Sequence, residues 1–256
     1  MSTEAEATLQ TYFHDETRVQ YFGDVQPVRY CLESILQGTL FSGDSPDLVS
    51  VFRDSCLIIE HFRFDCYKHT RKGSQNLEEQ ARIDRIAGTI KPTEEGTIYR
   101  DEITGESSFS LYVENVENAF REHYRKIPQY RKNVRENKVI SDSAELEVAF
   151  LIEDVSPLGT VAHDGIHLQT INLACCKPFL TLMRESPEVR YVIACSSYSN
   201  NYFTWLISHD QIDEFEKNSI EYESMQFISF TPKVMGAKLI IPSEKSAQID
   251  VTEDRE

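Results

Sequence analysis

An acid stands in the middle of the most apolar stretch of this chain. Cys56–Phe64 reads CLIIEHFRF, with Glu60 and His61 inside it. A run that apolar belongs in the interior of a sheet, where a carboxylate must be paired, ligated or left at an edge. Whatever fold forms has to answer for Glu60. Just upstream, Pro46-Asp47 precedes a short β-branched and aromatic run, Val49–Phe52, and Arg53-Asp54-Ser55 reads as a tight turn. The segment Ser45–Asp65 therefore predicts two strands joined by a turn, each bringing one acid. Paired carboxylates on neighbouring strands suit a divalent cation, which takes hard oxygen ligands.

The chain has 256 residues, 40% of them hydrophobic and 11% aromatic, enough to bury a sizeable core. No apolar run approaches the roughly 20 residues that cross a bilayer, and MSTEAEATLQ has neither a basic nor an apolar leader segment. The expectation is a cytoplasmic protein with no membrane association. Six cysteines without CxxC or Cys/His metal spacing read as reduced structural thiols. The net charge of −16 argues against broad, sequence-independent nucleic-acid binding, although a few local cations and a bound metal can offset it.

Along the chain, 1–10 and 243–256 read as flexible tails, and 11–242 as one α/β domain. Helical spacing covers Thr11 to about Gln37, with Pro27 starting a second piece that ends at Gly38. Ser74 is placed to cap a helix over Asn76–Ile86. Phe109–Val113 reads as a strand fragment and Glu114–Tyr130 as a helix interrupted at Pro128. Leu146–Ile152, Val189–Cys195 and Phe203–Ser208 are strands, Ala174–Met183 and Ile212–Lys217 helices, and Met225–Phe230 and Ala237–Ile241 terminal strands. This order predicts a single mixed central β-sheet flanked by helices.

The succession of a helix carrying Glu33, then Pro46-Asp47, then Glu60 within an apolar strand, then another helix resembles the PD-(D/E)XK nuclease superfamily, over roughly 28–87. The resemblance implies a restriction-endonuclease-like core and Mg²⁺- or Mn²⁺-dependent cleavage of phosphodiester bonds, in bacterial proteins often for defence against foreign DNA. By motif position, Asp47 and Glu60 are then the metal ligands and catalytic acids, and Glu33 an auxiliary ligand. The pattern departs at Phe62, two residues after Glu60 on the same strand face, where the family has lysine. Lys68 or Lys72, just past the strand, is the expected replacement, with Arg82 and Arg85 as further cations. Nucleic acid is the implied partner, and the basic stretch Arg125, Lys126, Arg131 and Lys132 the expected contact with its backbone.

Each of these residues also has a plainer role. Asp47 after Pro46 suits a turn, Glu60 an edge strand paired with Arg63 or Lys68, Glu33 a solvated helix face, and the basic stretch likewise. Phe62 and the net charge favour an alternative: a non-catalytic acidic interaction module with a nuclease-like fold and a protein partner. A nucleic-acid mimic is a third reading. Elsewhere, Glu145, Glu147, Glu153 and Asp154 flank a strand and read as a solvent-facing edge. His163 and His167 straddle a turn, and Tyr198, Tyr202, Phe203 and Trp205 read as core before they read as a base-stacking surface. GxGxxG, GxxxxGK[ST] and GxSxG are all missing from the sequence, which excludes the usual nucleotide-binding loops and serine-hydrolase elbow.

Overall fold

The β-branched runs become the middle of a mixed α/β fold. The computed structural model describes residues 3–13, 16–70, 73–91, 97–103, 106–137, 140, 144–156, 161–163, 168–198, 201–227 and 234–240. Its helices are α1 (Glu4–Tyr12), α2 (Gln26–Gln37), α3 (Gln75–Ala87), α4 (Phe109–Tyr124), α5 (Ile127–Glu136), α6 (Lys177–Arg184) and α7 (Ile212–Lys217). Its strands are β1 (Val19–Gln20), β2 (Thr39–Ser42), β3 (Leu48–Phe52), β4 (Ser55–Phe64), β5 (His69–Thr70), β6 (Gly73–Ser74) and β7 (Thr97–Ile103). They continue with β8 (Glu145–Asp154), β9 (Val161–His163), β10 (Leu168–Thr170), β11 (Tyr191–Tyr198), β12 (Asn201–Ser208), β13 (Gln226–Phe227) and β14 (Val234–Ile240).

Where the sequence suggests one domain over 11–242, the chain divides into two compact units. The larger comprises Met1–Cys66 and Ser108–Ile228, and the smaller Tyr67–Ser107 and Ser229–Glu256. In the smaller unit β7 pairs antiparallel with β14, and α3 packs on both.

The larger unit is built on a seven-stranded sheet of order β1-β12-β11-β8-β4-β3-β2. β4 and β8 run parallel in register from Ser55↔Glu145 to Phe64↔Asp154, while β2, β3 and β4 form an antiparallel meander. β4 is therefore a central strand, which removes the edge-strand explanation for Glu60. β8 lies between β4 and β11, so its acids do not form a solvent-facing edge either. The period-two alternation of β4 sends Leu57 and Ile59 to one face and Ile58, Glu60 and Phe62 to the other.

On the first face, α1 (Ala5, Leu9) and α2 (Val28, Leu32, Ile35) close over Leu57, Ile59, Leu151 and Ile193. On the second face α4 packs on β4, and α6 packs on α4. Aromatic edges fill this layer: Phe120 meets Phe150 at 4.9 Å and Phe179 at 5.9 Å between ring centroids, and Phe64 meets Tyr112 at 4.9 Å. All six cysteines are buried. Among the described residues, no helix is long and apolar enough to cross a membrane.

The helix ends show why some local expectations fail. Thr3 and Glu6 form a capping box, so the segment expected to be a mobile tail starts α1 instead. Ser108 accepts from the Leu111 N–H, which makes Phe109–Val113 the first turns of α4 rather than a strand. α2, α5 and α6 each carry proline (Pro27, Pro128, Pro178) in the first turn, where its missing N–H costs nothing.

α2 ends on Gly38, from which a β carbon would lie 2.2 Å from Ser50 Oγ and 2.3 Å from the Ser34 carbonyl oxygen. That close approach, which also lets Ser50 donate to the Ser34 carbonyl, fixes α2 against β3. At the tip of the β3–β4 hairpin, Arg53 takes a left-handed φ of 56°. For a residue with a β carbon this costs on the order of 1 kcal/mol.

Two outcomes follow for stability. Gly38→Ala is expected to lose about 2 kcal/mol or more, because backbone lines the site and cannot yield; urea denaturation measures it. Asp154, buried at the end of β8, is pushed up to about 6 by burial, although Ser156 and Tyr112 bond it and pull the other way, while Asp65 adds repulsion. Its folded value exceeds the unfolded 3.8. The contribution is thus fully present below pH ~4 and lost as pH rises through ~6. Asp154→Asn should remove that loss, so the variant's advantage over wild type in denaturation midpoints should grow between pH ~4 and ~6 and level off above.

Candidate functional site

Strand register creates the site. Leu48 lies opposite Ile59, which places Asp47, the residue before β3, opposite Glu60. The Asp47 N–H points at Glu60 Oε2 at 3.4 Å, and Asp47 Oδ2 accepts from the His61 N–H at 2.8 Å. The approach to β3 is tied down from two sides. Gly43 N–H donates to the Asp47 carbonyl at 2.9 Å, and the Asn133 side chain on α5 donates to the Ser45 carbonyl at 2.7 Å. Pro46, after a cis peptide bond, is buried. The acid pair expected from the sequence is brought together.

Glu60 is only 7% exposed, and its partners come from the second face of the sheet. Tyr130 on α5 donates its hydroxyl to Glu60 Oε1 at 2.7 Å, and His123 Nδ1 on α4 lies 2.8 Å from the same oxygen. A carboxylate only accepts, so the proton of this contact sits on Nδ1 and leaves Nε2 as the other ring nitrogen. The His123 ring stacks on Phe62 with centroids 4.7 Å apart and planes 11° from parallel. Phe62, where the resemblance leads one to expect lysine, thus presents an apolar ring, and an imidazole lies over it. Neither His123 nor Tyr130 was identified from sequence; they lie 63 and 70 positions from Glu60, and no local pattern announces such a contact.

The electrostatics are those of two acids that repel. Burial above all pushes the Asp47 carboxyl up; the Glu60 charge adds to this, while the His61 N–H and the two nearby imidazoles oppose it. Burial also raises the Tyr130 phenol, and its bond to Glu60 raises it further, so it is a fixed donor at neutral pH.

The other expected participants lie elsewhere. Glu33 is on α2, which covers the opposite face of the sheet, and faces Arg53 Nη2 at 3.6 Å. It is not brought to Glu60. Lys68, in the smaller unit, pairs with Glu106 at 2.7 Å, and Lys72 lies outside the described residues. Of the basic stretch, Lys126 pairs with Glu122 at 2.8 Å, Arg131 with Glu188 at 3.1 Å and Lys132 with Glu136 at 3.6 Å, while Arg125 is exposed. His61 points to the first face, 3.5 Å from Glu153 Oε2 and from Thr8 of α1. His167 lies outside the described residues.

Among the described residues, no group of three or more His, Cys, Asp or Glu gathers as a metal cage. Two carboxylates are nevertheless what Mg²⁺ commonly takes from protein, the rest of its shell coming from water and substrate phosphate. Asp47 with Glu60 Oε2 fits that smaller donor set, and a cation there would relieve the repulsion between the acids.

Tyr130→Phe is expected to cost roughly 1.5–3 kcal/mol, because it strips a donor from a buried carboxylate without changing shape; urea denaturation at pH 7 measures it. Comparison of the chain with protein-family models, curated proteins and solved structures returns no match.

Proposed function

We propose that this chain is a nuclease-like domain that acts on phosphodiester bonds with a divalent cation held by Asp47 and Glu60. The reading rests on one observation: the register of the β3–β4 hairpin sets these two carboxylates opposite each other in a half-buried site. The element order supports it in part: α2 precedes the acid-bearing β3–β4 hairpin and β4 pairs in parallel with β8, whereas α3, the helix that the resemblance to PD-(D/E)XK nucleases places after Glu60, belongs to the smaller unit. A role in defence against foreign nucleic acid belongs to the same proposal.

When bound, Mg²⁺ or Mn²⁺ supplies phosphate polarisation and a water of lowered pKa. The protein's own groups do the rest. Asp47 and Glu60 hold the cation; Tyr130 and His123 fix the Glu60 carboxylate in one rotamer; Phe62 keeps water from its flank. His123 stands beside the acids where the missing lysine would reach.

A second reading is favoured by a specific observation. Glu60 Oε1 already has two partners and Phe62 is buried under His123, as in a non-catalytic interaction module whose acids are structural. Calorimetry with Mg²⁺ or Mn²⁺, paired with cleavage assays on DNA and RNA, separates the two. The nuclease reading expects cation binding and cleavage in wild type, and at least a hundredfold loss of cleavage in Asp47→Ala and Glu60→Gln with folding retained. Cleavage that survives both substitutions, or no binding and no cleavage in wild type, sinks it in favour of the interaction module.

A further inference from the structure

A cavity of about 300 Å³ opens at the tip of the β3–β4 hairpin, between it and the first half of α2. Glu60 lies five residue steps along β4 from the Ser55 wall, about 17 Å along the strand. The cavity also lies on the α2 side of the sheet, so it is distinct from the acid pair.

Its lining runs against the overall charge of the chain. The protein carries a net charge of −16, yet two guanidinium groups, Arg29 and Arg53, face this cavity against a single carboxylate, Glu33. Glu33 sits 3.6 Å from Arg53 Nη2, beyond close hydrogen-bonding range, so the pair is loose and easily exchanged for a better anion. Flat apolar walls come from Tyr30 and Phe52, and hydrogen-bonding groups from Gln26 and Ser55.

Arg53 carries the argument furthest. It occupies a left-handed backbone position that glycine would take without strain, with its guanidinium 4.7 Å above the Phe52 ring. The turn has no need of a side chain there, whereas the cavity acquires its second cation from it.

We propose that this cavity binds a small molecule combining an anionic group with a flat ring, of which a nucleoside monophosphate is the plainest case. Arg29 and Arg53 take the phosphate, displacing Glu33 from Arg53, and the base lies against Tyr30 and Phe52. The inference is independent of the nuclease reading.

Calorimetry on the full chain at low salt tests it, with AMP, adenosine and inorganic phosphate as separate probes. AMP should bind at least tenfold more tightly than either of its parts. Arg53→Gly should weaken AMP binding at least tenfold while its thermal midpoint equals or exceeds that of wild type, since it relieves the turn. Arg29→Ala should weaken binding similarly, and Glu60→Gln should leave it unchanged. The proposal is overturned by no AMP binding at millimolar concentration, by phosphate binding as tightly as AMP, by unaltered affinity in Arg53→Gly and Arg29→Ala, or by loss of binding in Glu60→Gln.

Discussion

The parallel pairing of β4 with β8 is the constraint on which the larger unit depends. Ten consecutive residue pairs join two strands that are covered on both faces. Because side chains alternate, a slip of one residue would exchange Glu60 with His61 and move every apolar residue of the strand to the wrong layer. The same register then sets β3, and through β3 the position of Asp47. Glu60 meets Tyr130 and His123 because burial of Leu57, Ile58 and Ile59 leaves the strand no second alignment.

Three of this sheet's interior carboxylates are accommodated in three different ways. Glu60 accepts from a phenol and an imidazole on the second face. Glu153, on the first face, is pushed up by burial but held below the usual carboxylate range by His61 and Arg63, with Arg63 reaching it at 2.7 Å and also pairing with Glu4 of α1. Asp154 has no cation among its principal partners and is held by the Ser156 N–H at 2.9 Å and by Tyr112. Adjacent residues His61 and Glu60 thus serve opposite layers: one docks the N-terminal helix and the other shapes the candidate site. Substitutions at either are felt on both sides of the strand.

Much of the architecture was legible because the central strands are dense in apolar residues. Leu146–Ile152 and Cys56–Phe64 were readable as strands from composition alone, and Ile212–Lys217 emerged as a helix with the expected bounds. The proximity of Asp47 to Glu60 was legible too, since a tight turn at Arg53-Asp54 leaves few registers for the hairpin. What escaped was contact across layers. Sequence spacing could not show that α2 would cover the face away from Glu60, which separates Glu33 from it, nor that α4 and α5 would deliver His123 and Tyr130. Two helix starts nonetheless carry local signals: Thr-x-x-Glu at Thr3–Glu6 is a capping-box pattern, and Ser108 stands at the cap position before Phe109.

The smaller unit carries a consequence for biosynthesis. β7 is made early, in the excursion between β4 and α4, but its antiparallel partner β14 comes from near the C-terminus, after every strand of the seven-stranded sheet has been made. On a ribosome, the larger unit's strands are all available while β7 still lacks a neighbour, and the ordering cost of that long loop is met only when the last segment emerges. During that interval an unpaired strand edge is offered to the cell, where like charge on a chain of net −16 opposes its pairing with another copy.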